Sequence, residues 1–120
     1  MTNTVIITGR VTRNIDIRTG RNGNTYAPFT VAINEKYADG TQTTYFINVM
    51  SRGKLAELVA KWSGKGLRIT VTGHLETYKN RDDVTVIQVV ADEVDFIDFK
   101  EQSQEDKEVD DLLEEEGWVF

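Results

Sequence analysis

Along the first hundred residues, apolar side chains recur at alternate positions, the period of a strand that buries one face. Val5, Ile7, Gly9 and Val11 alternate with Thr8, Arg10 and Thr12, which predicts a first strand; Ile6 breaks the polar side and leaves an apolar spot facing outward. Thr19-Gly20-Arg21-Asn22-Gly23-Asn24 is a run of turn formers containing Asn-Gly. Ala27, Phe29, Val31 and Ile33 then alternate in a second strand. Pro28, the only proline, falls near its start, where a missing ladder hydrogen bond is tolerated on an edge or at a bulge. Glu35 to Thr43 reads as a polar loop turning at Asp39-Gly40, and Thr44 to Met50 as a third strand. On that strand Ile47 and Val49 face the core, and Phe46, Asn48 and Met50 face away.

The period then changes. Leu55, Leu58, Val59 and Trp62 lie at i, i+3, i+4 and i+7, which predicts a short amphipathic helix over Lys54 to Trp62. Ser63-Gly64-Lys65-Gly66 stops it. Leu67, Ile69, Val71, Gly73 and Leu75 alternate in a fourth strand, Asn80-Arg81-Asp82-Asp83 makes a turn, and Val84 to Phe99 forms a long fifth strand bent around Ala91-Asp92-Glu93. Three strands, one helix and two strands is the order of a five-stranded OB-fold barrel, an all-β class with one short helix between strands 3 and 4. Another small all-β barrel or sandwich would share that order. From Lys100 onward the periodicity ends, so the expected organisation is a domain over residues 1–100 and a disordered acidic tail over residues 101–120.

Charge sharpens that division. The net charge of −6 speaks against a nucleic-acid partner, since phosphates repel an acidic protein. The average conceals two parts. Residues 1–100 carry 13 Lys and Arg against 11 Asp and Glu, a net +2; residues 101–120 carry one Lys against nine acidic residues, a net −8. With no cysteine and one histidine, disulfides, thiolate sites and multi-histidine metal sites are excluded. No apolar run reaches the roughly 20 residues of a membrane-spanning helix, and Met1-Thr2-Asn3-Thr4 lacks the basic and apolar regions of a signal peptide, so a cytoplasmic protein is expected. No nucleophile–base pair stands out. His74 reads as a surface residue, and the neighbouring pairs Asp82-Asp83 and Asp92-Glu93 as turn and surface carboxylates rather than a metal site, so no enzyme, cofactor or metal is implied.

The segments Val5-Ile6-Ile7-Thr8-Gly9-Arg10-Val11-Thr12-Arg13, Phe29-Thr30-Val31-Ala32-Ile33-Asn34, Phe46-Ile47-Asn48-Val49, Gly53-Lys54-Leu55-Ala56-Glu57, Val71-Thr72-Gly73-His74-Leu75 and Val89-Val90-Ala91-Asp92-Glu93-Val94 resemble, in order and spacing, the bacterial and bacteriophage single-stranded DNA-binding proteins. The resemblance covers about residues 3–98. It implies an OB fold, a homotetramer, no catalysis, and sequence-independent binding of single-stranded DNA in replication, recombination and repair. Such binding needs cations along the backbone and aromatic faces for the bases. Tyr37, beside Lys36, and Phe46 match positions where the family carries stacking aromatics. Arg52 and Asn80 stand where aromatics are common; the Arg52 guanidinium can still lie flat on a base, and Tyr78 at the loop edge can serve for Asn80. Arg10 and Arg13 match basic positions of the first strand, Lys79 and Arg81 flank the loop beside Tyr78, and Arg18, Arg21, Lys54 and Arg68 are further phosphate candidates. These aromatic and basic groups are expected to share one face.

The tail resembles the family's acidic terminus. Glu114-Glu115-Glu116-Gly117-Trp118-Val119-Phe120 puts an acidic run before an apolar tip, with Val119 in place of the usual proline. An apolar ring with a terminal carboxylate suits a basic-rimmed pocket on a partner, so Trp118, Val119 and Phe120 are expected to recruit replication and recombination proteins. The short linker, about Lys100 to Val109, suggests a bacteriophage or reduced form. Two other functions fit parts of the sequence: an OB-fold adaptor of a primosome or recombination complex that mainly binds protein, and an RNA-binding OB protein.

Overall fold

A computed structural model describes residues 1–100. The chain forms β1 (Val5–Val11), β2 (Arg18–Thr19), β3 (Thr25–Lys36), β4 (Gln42–Arg52), α1 (Gly53–Trp62), β5 (Arg68–Lys79) and β6 (Thr85–Phe96). The five long strands and the helix appear in the order the periodicity predicts; the two-residue β2 is an addition. The sheet runs β1-β5-β6-β4-β3-β2, and a further β1–β3 pairing closes it into a barrel. One pairing is parallel, β4 with β6 at Val49↔Val89 and Met50↔Val90. This is the OB-fold barrel, with α1 between the third and fourth long strands.

Alternation does most of the folding work. Val11, Val31, Val49, Ile69 and Val71 point inward and are fully buried, and Val59 and Trp62 of α1 close one end of the core. Ile15, in the segment between β1 and β2, is buried as well. Among the described residues two serines are buried, Ser51 and Ser63; the Ser51 hydroxyl donates to the Ala27 carbonyl at 2.7 Å, so the burial of Ser51 leaves no hydrogen bond unmade.

Two glycines permit closure. A Cβ on Gly9 would overlap the Ala32 carbonyl where β1 swings from β5 to β3, and one on Gly73 would overlap the Val90 carbonyl. At that second point the β5–β6 register jumps from Thr72↔Glu93 to Gly73↔Ala91, leaving Asp92 as a bulge. The sequence expects the fifth strand to bend at this place.

The structure also departs from the sequence expectations. The hairpin of β3 and β4 extends through Glu35, Lys36, Gln42 and Thr43, so only residues 37–41 turn. A two-stranded ribbon protruding beyond the core satisfies its backbone in the ladder and needs no apolar face, which is why its polarity resembles a loop. At the other end, β6 stops at Phe96 rather than Phe99: Ile97 and Asp98 both donate their amides to the Arg68 carbonyl at 3.2 and 3.3 Å. Phe99 then turns edge-on to Trp62 at 6.0 Å, and the Lys100 ammonium caps α1 by donating to the Ala60 carbonyl at 2.8 Å. Pro28 sits in the gap between the β2 and β1 pairings of β3. By alternation its nitrogen faces the same side as the Thr30 carbonyl, which accepts from the Thr12 amide, and on that side no ladder pair falls between Tyr26, paired with Arg18, and that bond. Among the described residues, no helix is long and apolar enough to cross a membrane.

Two outcomes follow. Gly73→Ala should cost about 1–3 kcal/mol in urea unfolding, because the clash is with backbone rather than a movable side chain. Asp98 accepts from the Arg68 amide, Nε and Nη2 at 3.0, 3.0 and 3.1 Å. These hydrogen bonds lower its pKa from the ordinary 3.8 to about 2. The folded carboxylate therefore holds its charge where the unfolded one is protonated, and its contribution is full above pH 3.8 and lost as pH falls through about 2. Asp98→Asn should lower the urea midpoint at neutral pH, and the gap to the native chain should close across that window.

Candidate nucleic-acid interface

The register of β3 and β4 fixes which side chains share the outer face, since directly opposed residues project to the same side. Tyr26 lies opposite Arg52, Pro28 opposite Met50, Thr30 opposite Asn48 and Ala32 opposite Phe46. The hydrogen bond from the Thr30 hydroxyl to Asn48 Oδ1, 3.3 Å, ties this face across the pair. Phe46 stands on it with 67% of its surface exposed, an unusual state for a phenylalanine with no apolar role. Beyond β4, the outer positions of β5 and β6 add Tyr78 and Gln88.

Two depressions lie on this face, and a third adjoins them. The middle one, about 300 Å³, is lined by Arg13, Arg18, Pro28, Asn48, Met50 and Tyr78. At Met50 it meets a hollow of about 770 Å³ beneath the β2–β3 turn, lined by Asn22, Tyr26 and Arg52 among others. At Asn48 and Gln88 it meets an apolar hollow of about 340 Å³ that turns off this face, since its walls include Ile7, Ile47, Leu75, Ile87 and Val89 from the inward parity of the strands, with Phe46 at its edge. The track therefore has Arg13, from the segment after β1, and Arg18, from β2, in its middle, a tyrosine beside them, and Tyr26 and Phe46 toward its two ends. In OB folds this strand face and the loops flanking it are where oligonucleotides lie.

Not every candidate reaches the track. Tyr37 sits at the tip of the β3–β4 hairpin, where its hydroxyl meets that of Tyr45 at 3.0 Å. Tyr45 opposes Ile33 on the side away from Phe46, so the register places Tyr37 and Phe46 on opposite faces of the hairpin, contrary to the single shared face the sequence suggests. The hydrogen bond with Tyr37 and the nearby Glu35 carboxylate raise the Tyr45 phenol pKa. Arg10 donates to the Gly66 carbonyl at 2.8 Å, and Arg68 is engaged by Asp98. Lys79 pairs with Asp83 at 3.3 Å and, by alternation, points away from Tyr78. Arg81 is exposed in the β5–β6 turn, Arg21 in the β2–β3 turn, Lys36 opposite Gln42, and Lys54 in the first turn of α1. Trp118, Val119 and Phe120 lie outside the described residues. Tyr26 and Gln88 join the track without any motif to mark them, and Met50 and Arg18 take a larger part in it than their sequence context indicates. Alternation was the available signal: Ala27 and Phe29 face the core, so Tyr26 and Pro28 face out.

Arg52 does not stand alone. It approaches Glu76 at 3.6 Å, Glu76 accepts from or pairs with His74 Nε2 at 2.7 Å, and His74 Nδ1 meets Asp92 at 2.9 Å. The bulge that bends β6 thus also turns Asp92 toward this chain of charges. Hydrogen bonding to Asp92 first, and to Glu76 second, raises the His74 pKa. His74 in turn lowers the pKa of Glu76, with Arg52 adding to the effect. No group of three or more His, Asp or Glu side chains among the described residues, this one included, is placed to hold a metal ion.

Comparison with known proteins decides the family. The model of the "Single-strand binding protein family" matches residues 2–97, nearly the whole barrel. The chain belongs to the single-strand binding protein family. Among curated proteins it is 39% identical over 106 residues to Single-stranded DNA-binding protein 1 of Staphylococcus aureus strain MSSA476, covering 83% of this chain and 68% of that one. It is 32% identical over 119 residues to Single-stranded DNA-binding protein 4 of Streptococcus agalactiae, covering 94% and 86%. It is also 31% identical over 108 residues to the Single-stranded DNA-binding protein of Fusobacterium nucleatum, covering 84% and 70%. Within this member of the single-strand binding protein family, the histidine between two carboxylates makes the outer face titratable. Its NMR titration midpoint should lie above the ordinary 6.5, and Asp92→Asn should bring it down.

Proposed function

We propose that this protein binds single-stranded DNA without catalysis and with little sequence preference, along the outer face of β3, β4 and β6. The observation that carries the reading is the groove in which Arg13 and Arg18 flank Tyr78 between two further aromatic positions. Cations for the backbone and flat rings for unstacked bases are the two requirements of such binding. Arg52 is the flat cation at one end, and Tyr37 with Lys36 extends the contact around the hairpin tip. Arg10, Lys54, Lys79 and Arg81 are secondary: each phosphate they reach must compete with a neighbour or lie at the rim.

The function extends to replication, recombination and repair. Residues 1–100 act as the binding unit, and residues 101–120 recruit partner proteins through Trp118, Val119 and Phe120. A cytoplasmic homotetramer is the working assembly. Ile6, 67% exposed on the outer face of β1, supports a subunit contact there, since it gains nothing from solvent.

Fluorescence anisotropy with a labelled oligo(dT), against duplex of equal length, tests the central reading. The single strand should bind preferentially, and Phe46→Ala and Tyr78→Ala should each weaken it by about 1–3 kcal/mol. Arg13→Ala and Arg18→Ala should each reduce the slope of log affinity against log salt by about 0.7. Equal affinity for single strand and duplex would overturn the reading in favour of a protein-binding adaptor.

A further inference from the structure

The hollow beneath the β2–β3 turn differs in kind from the rest of the track. It holds about 770 Å³, within the roughly 300–1,000 Å³ of small-molecule sites. Its floor is the half-buried Tyr26, directly across the ladder from Arg52. The turn above it is fixed from within: the Gly20 amide donates to the Asn24 carbonyl at 2.8 Å, the Gly23 amide to the Gly20 carbonyl at 3.0 Å, and the Asn24 amide to Asn22 Oδ1 at 3.1 Å. A Cβ on Gly20 would come within 3.9 Å of the Tyr26 ring, so the ring lies close beside the turn. One carboxylate, Glu57 on α1, lines the hollow together with one guanidinium, Arg52. Arg52 is already approached by Glu76.

That balance of charge is wrong for a phosphate. The middle groove presents two arginines, and no carboxylate pairs with Arg13 or Arg18 among the described residues. Here one carboxylate shares the lining with one partly neutralised cation, which suits a neutral, flat, hydrogen-bonding group. We propose that this hollow is a nucleobase pocket in which Tyr26 stacks on the base and Glu57 accepts a hydrogen bond from its exocyclic amino group. A carboxylate is the natural acceptor for cytosine N4 and comparable amino groups, whereas thymine presents a carbonyl oxygen and is disfavoured. The position therefore imposes a local preference for amino-bearing bases on an otherwise indifferent track. The inference rests on the single-stranded DNA reading.

The test uses the full chain with labelled oligo(dT) and oligo(dC) of equal length. Tyr26→Leu keeps apolar bulk but removes the ring face, and should weaken both oligonucleotides about five- to hundredfold. Tyr26→Phe, which retains the face, should bind within about twofold of the native chain. Glu57→Gln should leave oligo(dT) binding intact and lower the ratio of oligo(dC) to oligo(dT) affinity several-fold. Circular dichroism melts check that each variant folds; if Tyr26→Leu does not, Tyr26→Phe and Glu57→Gln carry the test. Native-like binding by Tyr26→Leu, with loss in Phe46→Ala, would overturn the pocket and leave the track standing. An unchanged ratio in Glu57→Gln would overturn the base preference. Failure of the native chain to bind either oligonucleotide would instead overturn the underlying reading.

Discussion

The close backbone approach at Gly73 is the contact on which the rest depends. With no Cβ in the way, the Val90 carbonyl comes against β5, and the Asp92 bulge lets β6 change direction within a few residues. Only a strand bent at that point reaches β4 to form the parallel pairing at Val49↔Val89 and Met50↔Val90. That pairing joins the β5–β6 half of the sheet to the β3–β4 half, buries Val49 and Val89, and brings Gln88 and Tyr78 beside Asn48 and Met50. The bulge also exposes Asp92 toward His74. Core, groove and outer-face charge network are thus consequences of one local geometry, in the way bulges commonly re-aim side chains near functional sites.

How much of this the sequence discloses depends on which force sets each feature. Where burial decides, alternation is sufficient: Val31, Val49, Ile69 and Val71 face inward as their spacing requires, and the helical period of Leu55, Leu58, Val59 and Trp62 places α1 to within one residue. The bend near Asp92 is legible because acidic residues interrupt an apolar run. Features set by long-range pairing are not. Glu35, Lys36, Gln42 and Thr43 are ladder residues with no core to face, and polarity alone reads them as loop. Ile15 is buried inside an irregular segment, where no period marks it. Phe99 leaves β6 because Trp62 offers it a ring edge, a contact spanning two elements. The site shows the same division. Phe46 is found from its strand parity, but the opposition of Tyr26 to Arg52 and of Tyr37 to the far face requires the register.

The charge distribution explains how a net-acidic chain can present a cationic track. Several cations are committed locally: Arg68 to Asp98, Lys79 to Asp83, Arg10 to the Gly66 carbonyl, Arg52 to Glu76. Exposed pairs of this kind contribute little stability each, but they cancel field at the surface where they lie. At the middle groove Arg13 and Arg18 stand together, with no carboxylate paired to either among the described residues. At moderate salt, charge beyond about 8–10 Å is screened, so the overall −6 matters less to a bound strand than these two residues.

The aromatic groups are spread rather than clustered. Tyr26 and Phe46 stand at opposite ends of the track, Tyr78 lies between them, and Tyr37 is on the other side of the hairpin. In the binding mode proposed above, each stack would contribute about 1–3 kcal/mol, too little for tight binding alone. Affinity would then accumulate along the strand, ring after ring, with each base unstacked from its neighbours to reach its own platform. A duplex cannot meet that requirement without melting. On this proposal, selectivity for single strands follows from the spacing of the rings on the barrel, and no base-specific contact is needed to produce it.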